Sequence, residues 1–248
     1  KRYLDFLCGL AVTSLGHAHP TVAKALCDQS QQLLHVSNFF ANPVAWHAAQ
    51  DLNALLKDAT GCDGQVFFCN SGAEANECAI KLARKWGKLH RDGAFEIITA
   101  LGSFHGRTLA SLAATGNRHY QEAFDPMPEG FRHVPFNDLE AMRAAITPKV
   151  AAVMLEPVLG EGGIHPATVE YLHGVRKLCD DHGILLILDE VQSGIGRMGY
   201  LYGYYSEDPN YPNGVRVNIE ALYEPPQINE MNGFLELEDP DKHKVDMI

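Results

Sequence analysis

Five consecutive apolar residues, Ile184 to Leu188, run straight into Asp189 and Glu190. A strand without polar alternation has to be covered on both faces, which is the situation of a strand inside a parallel sheet flanked by helices. The preceding segment, Thr168 to Asp181, sets Val169, Leu172, Val175 and Leu178 on one helical stripe. Helix and buried strand in succession predict an α/β fold, whose ligands gather at the carboxyl ends of the strands. Asp189 sits at such an end. An apolar run followed by Asp-Glu is also how a Walker B strand looks, but no G-x-x-x-x-G-K-[ST] loop accompanies it, which argues against a P-loop NTPase.

The same alternation runs from residue 20 onward. Helices are expected over Pro20 to His35 and Pro43 to Ala59, each with proline near its first turn, and over Ala73 to His90. Strands are expected over Gln65 to Cys69, Phe95 to Ala100 and Val150 to Leu155. Ser71 and Glu74 have capping-box spacing. A formal net charge of −11 with no standout basic patch argues against a general nucleic-acid backbone binder. No apolar run reaches the length that crosses a bilayer, and the opening residues Lys1 to Leu7 are interrupted by Asp5, unlike a signal peptide. The start without Met reads as that of a fragment. Six cysteines without a C-x-x-C spacing predict reduced thiols in the cytoplasm or a mitochondrial matrix.

Several residues carry chemistry by type and place. Ser71-Gly72-Ala73 opens a helix, where backbone N–H groups converge as a phosphate requires; most such turns only cap a helix. Asp189 is either a loop or capping carboxylate or the acid that holds a proton on a pyridine nitrogen. Phe104 can cover a flat ring or simply fill core, and Arg107 can grip a carboxylate or form a surface ion pair. Glu156 and Glu161 sit near one sheet edge, as ligands or as turn residues. His17-Ala18-His19 reads as a turn before a helix, since no further metal-ligand cluster matches it.

In this order, the motifs Leu15-Gly16-His17-Ala18-His19-Pro20, Asn70-Ser71-Gly72-Ala73-Glu74-Ala75-Asn76-Glu77, Phe104-His105-Gly106-Arg107-Thr108, Glu156-Pro157-Val158-Leu159-Gly160-Glu161 and Asp189-Glu190-Val191-Gln192 resemble the acetylornithine/ornithine branch of class III aminotransferases. The resemblance covers residues 3 to about 199. It implies the large domain of a fold-type I homodimer binding pyridoxal 5'-phosphate, with amino transfer between an ornithine-like amino acid such as N-acetylornithine and 2-oxoglutarate. It further implies phosphate contacts at Ser71, Gly72 and Ala73, ring contacts at Phe104, His105, Glu156, Asp189 and Gln192, and substrate contacts at Arg107 and Glu161. Leu159, where this branch usually has glutamine, loosens the substrate assignment.

The resemblance breaks near residue 197. The family's Schiff-base lysine follows the Asp of its D-E-V-Q motif by about thirty positions, which falls near Asn218, and no lysine stands between Lys177 and Lys242. Six of the nine tyrosines crowd into 200–223, and Val215 to Ile219 alternates like an exposed strand. Residues 197–248 resemble part of the inactive MPN domain of the nuclear protein localisation protein four family, adaptors for ubiquitinated clients of an AAA ATPase. The chain thus divides, by expectation, into an incomplete aminotransferase domain over 1–199 and a β-rich segment over 200–248. Three readings follow: an aminotransferase inactive for want of its lysine, a ubiquitin-pathway adaptor acting through the tail, or an enzyme using Lys242 or Lys244. Uncovered apolar edges predict poor solubility.

Overall fold

The computed structural model describes residues 2–198 except Asn38 and residues 61–63. The expected tail elements, Val215 to Ile219 included, lie outside these residues. The elements run α1 (Cys8–Ala11), α2 (Pro20–Ser30), α3 (Pro43–Thr60), α4 (Gly72–His90), β1 (Glu96–Ala100), α5 (Leu109–Ala114), α6 (Arg118–Gln121), β2 (Phe131–Val134), α7 (Leu139–Ala145), β3 (Val150–Leu155), β4 (Val158–Leu159), β5 (His165–Pro166), α8 (Val169–His182) and β6 (Leu185–Leu188).

Four strands form a parallel sheet in the order β2-β1-β3-β6, and β4 with β5 makes a small antiparallel pair. The chain leaves β1 for β2 on one side, then returns to place β3 on the other. That reversal opens a crevice at the carboxyl ends of β1 and β3. Every residue of β3 is buried, because helices cover both faces. On one face Val150, Val153 and Leu155 pack with Val175, Leu178 and Cys179 of α8. On the other, Ala152 and Met154 pack with Ile80 and Ala83 of α4. At about 25 cal/mol per Å² of apolar area removed from water, this two-sided burial is what drives the sheet together.

The sequence expectations meet three corrections. Gln65 to Cys69 forms no strand: residues 65–70 are exposed and pair with no ladder among the described residues, so a short apolar run alone lacks the partner that a strand needs. Helix α2 stops at Ser30, short of His35; the Ser30 hydroxyl bonds back to the Cys27 carbonyl and the Gln29 amide to that of Leu33. On α8 the buried stripe is Tyr171, Val175, Leu178 and Cys179, whereas Val169 lies 41% exposed at its start. From Arg2 to Lys57 and from Gly64 to Ser71, no described residue is buried, and Leu4, Phe6, Leu34 and Phe39 are each at least 80% exposed.

Candidate functional site

The carboxyl ends of β1, β3 and β6 bring most of the expected residues together. The β6 ladder continues one step past the strand: the Asp189 N–H donates to the Leu155 carbonyl at 2.8 Å. Asp189 is therefore fixed beside Glu156, the residue that follows β3. Its carboxylate is 8% exposed and fully engaged on one oxygen. Oδ2 accepts from His105 Nδ1 and from Asn76 Nδ2, each at 2.8 Å, while Oδ1 accepts from the Val191 N–H at 3.1 Å. Burial pushes this carboxyl up, but the His105 and Asn76 hydrogen bonds and the His105 charge outweigh it and hold Asp189 below the usual carboxylate range.

Glu156 bridges the crevice itself. Its two oxygens accept the Phe104 N–H at 2.9 Å and the Gly160 N–H at 3.1 Å, tying the loop after β1 to the turn after β3. Burial raises its pKa, opposed by those two N–H groups. Gln192 lies against the same turn: a Cβ on Gly160 would come within 2.0 Å of Gln192 Oε1, so a larger residue there would push the Gln192 amide aside. The loop after β1 is clamped by Thr115, whose hydroxyl accepts the His105 N–H at 2.9 Å. His105 is 1% exposed, and its Nε2 has no partner among the described residues.

Helix α4 starts beside these loops. Ser71 caps it by accepting the Glu74 N–H at 3.2 Å; the Glu74 carboxylate reaches the Asn70 N–H at 2.5 Å, so the second arm of the capping box is displaced by one residue. The N–H groups of Gly72 and Ala73 find no acceptor among the described residues, as the first positions of a helix leave them. Gly106, at φ +130°, allows the close approach of α4: a Cβ there would lie 2.8 Å from Ala73 Cβ. Phe104 meets Tyr120 edge to face at 6.3 Å.

Arg107 is exposed and rests over both rings, 5.6 Å from the Phe104 centroid and 5.5 Å from that of Tyr120. Glu161 stands exposed in the turn between β4 and β5, apart from this cluster's contacts. His17 bonds Asp5 at 2.9 Å, and no group of three potential metal ligands occurs among the described residues. Three further residues belong to the arrangement: Asn76, Glu77 and Tyr120. Asn76 was legible in principle, since it stands on the stripe Asn76, Ile80, Ala83 and Gly87, a polar side chain among apolar neighbours.

A parallel sheet flanked by helices, with a buried acid at a strand end and a helix N-terminus with open N–H groups, matches the large domain of fold-type I pyridoxal-phosphate transferases, the class to which the similar solved structures belong. The chain belongs to the class III aminotransferase family, whose sequence model matches residues 1–212. An NPL4 family model matches residues 197–248. The acetylornithine aminotransferase of Caldanaerobacter subterraneus is 51% identical over 203 residues, covering 82% of this chain and 50% of that protein. The N-acetylornithine aminotransferase of Stenotrophomonas maltophilia superposes with a TM-score of 0.68 at 41% identity, over 83% of this chain and 50% of its own. The ornithine aminotransferase of Toxoplasma gondii, solved with partial occupancy of pyridoxal phosphate at its active site, gives 0.74 at 35%, over 81% and 47%. The chain thus spans about half the length of the relatives it matches.

Proposed function

We propose that this chain binds pyridoxal phosphate at the crevice between β1, β3 and β6 without a covalent anchor, and that it does not sustain amino transfer by itself. The observation that carries the reading is the Asp189 carboxylate, buried, held ionised and left with acceptor capacity on Oδ1. The residues present fit the group. Gly72 and Ala73 would donate to its phosphate, helped by the positive end of α4. Asp189 would accept from its ring nitrogen, Phe104 would cover the ring, and Gln192 would donate to the ring's phenolic oxygen. When bound, the group supplies an electron sink for bonds at an amino acid's α-carbon. His105 and Asn76 keep Asp189 charged, and Glu156 holds the two walls of the crevice at fixed separation.

What the chain lacks is an amine to hold the aldehyde and to carry protons between the reacting carbons. No lysine occurs from residue 178 to 241. On this reading the parent reaction is amino transfer between N-acetylornithine and 2-oxoglutarate, with Arg107 and Glu161 serving the substrate. A second copy covers the exposed apolar residues of the first 68 positions, Phe6, Phe39 and Trp46 among them, forming a homodimer. The five described cysteines are free thiols, in keeping with the cytoplasm or a mitochondrial matrix. Among the described residues no helix is long and apolar enough to cross a membrane.

The test is to add pyridoxal phosphate to the full chain, record the visible spectrum, reduce with borohydride and map lysines. Reversible binding is expected, with no adduct at Lys242 or Lys244 and no turnover of N-acetylornithine with 2-oxoglutarate. Steady turnover, or a reduced adduct at either lysine, would overturn the reading. The NPL4 match over 197–248 favours a second reading, an adaptor acting through its tail; ubiquitin capture abolished by deleting residues 200–227 would support it.

A further inference from the structure

We infer that Asn76 is a positioning residue for the cofactor's ring nitrogen, selecting which oxygen of Asp189 receives it. The inference rests on the cofactor reading above. Asn76 is 5% exposed, and its amide nitrogen spends both hydrogens: one on the His105 carbonyl at 2.7 Å, one on Asp189 Oδ2 at 2.8 Å. Both partners are pure acceptors, so the amide has one orientation only. His105 Nδ1–H fills the second site on the same Oδ2, and the Val191 N–H takes one site on Oδ1. An ionised carboxylate offers about four lone-pair sites. Three are used among the described residues, and the fourth lies on Oδ1. Asn76 thus closes one oxygen of Asp189 and leaves the other to an incoming N–H.

The geometry gives the helix a double duty. Asn76 lies one turn beyond Gly72, so α4 presents its open N–H groups and its grip on Asp189 at a spacing fixed by helical pitch, about 1.5 Å per residue. The bond from Asn76 to Asp189 joins residues 113 positions apart, and it fastens α4 directly to the end of β6.

Replacing Asn76 by aspartate tests this, because it puts an acceptor where two acceptors already wait. The titratable groups facing the new carboxyl are Asp189 and His105, with Glu156 and His133 coupled behind them. Two adjacent carboxylates share one proton, whose pKa rises. Below that value the shared proton restores a donor toward Asp189; above it, two anions face each other. Pyridoxal phosphate affinity is read by absorbance titration from about pH 5.5 to 8.5, for the unsubstituted chain, Asn76→Asp and Asn76→Leu. The expected result is that Asn76→Asp binds within about threefold of the unsubstituted chain at the acid end, then loses about tenfold per pH unit relative to it. Asn76→Leu, which removes both donors and adds no titrating group, should bind more weakly at every pH with the unsubstituted slope. A profile for Asn76→Asp parallel to that of the unsubstituted chain overturns the inference.

Should either variant fail to fold, the unsubstituted chain still decides the matter. The Asn76 side-chain amide resonances should move with pyridoxal phosphate and not with an analogue whose ring nitrogen is replaced by CH. Equal movement with both overturns the inference while leaving the cofactor reading intact. Failure of the unsubstituted chain to bind pyridoxal phosphate overturns both.

Discussion

Glu77 provides the most direct test of how the loop carrying Phe104, His105 and Arg107 is held. This carboxylate projects from α4 to the start of α5, where Oε1 accepts the Thr108 hydroxyl, the Ala110 N–H at 3.2 Å and the Ser111 N–H at 3.1 Å. The opening turn of a helix has N–H groups that no helical carbonyl reaches, and here a side chain from another helix supplies the acceptor. Glu77→Ala removes it. The Ser111 N–H belongs to a fully buried residue, so water cannot replace the lost partner; the Thr108 side chain of the capping box remains as a second acceptor, which puts the loss at about 1–2 kcal/mol, in the lower part of the cost of an unsatisfied buried donor. The Ala110 N–H is half-buried and costs less. Losing an anion from a helix N-terminus adds about 0.3–1 kcal/mol. The sum is about 2–3 kcal/mol, or a fall in Tm of about 5–10 °C for a chain of this size. Glu77→Gln keeps a neutral acceptor and gives up the charge, so it should lose about 1 kcal/mol.

Urea unfolding of the full chain, followed by far-UV circular dichroism, measures both variants against the unsubstituted chain. Because the loop from Phe104 to Thr108 hangs between β1 and this capped helix, pyridoxal phosphate affinity should fall in the same order, alanine below glutamine. An alanine variant within about 0.5 kcal/mol of the unsubstituted chain would refute the account, as would a glutamine variant as damaged as the alanine one.

Three further outcomes follow from the structure. Because Asp189 is held below the usual carboxylate range, it contributes stability that is present above about pH 4, its unfolded value, and is lost as pH falls through the folded one; Asp189→Asn should flatten the acid limb of urea midpoints plotted against pH, and an unchanged limb would count against the network. Cys179, fully buried with its thiol pushed up to about 12, should resist iodoacetamide in the folded chain while exposed Cys27 and Cys69 react, as mass spectrometry of the peptides would show; native labelling of Cys179 at their rate would contradict the packing. Gly106→Ala adds a Cβ 2.5 Å from Ser111 Oγ at φ +130°, and urea unfolding should register a loss of about 2 kcal/mol or more.

The strands that carry the site were legible because burial on both faces leaves an unbroken apolar run. Val150 to Leu155 shows it in full, and all six residues form β3. Ile184 shows it too, yet the ladder begins at Leu185, because Gly183 turns left-handed to end α8 and the Ile184 N–H goes to the Cys179 carbonyl instead. Strand β2 carries less of a mark: four residues long and at the edge, it includes Arg132 and His133 among its apolar positions. Gln65 to Cys69 misled for the opposite reason, since an apolar stretch states what wants covering and not what is there to cover it.

The functional residues divide along the same physical line. Asp189, Glu156 and Phe104 follow directly on strand ends or the loops they feed, so sequence position alone placed them at the crevice. Asn76 and Glu77 sit within a helix whose register decides which faces the sheet and which reaches α5; only the folded helix shows that one grips Asp189 and the other caps Ser111. Glu161 and Arg107, proposed above to meet the substrate, are exposed; Arg107 is placed only by resting over the Phe104 and Tyr120 rings, which its sequence position does not announce. Buried polar residues therefore record how the loops and strand ends are held together, which exposed ones do not. On the proposed reading, a chain that keeps the first set intact and has no lysine near Asn218 would hold the cofactor without turning it over.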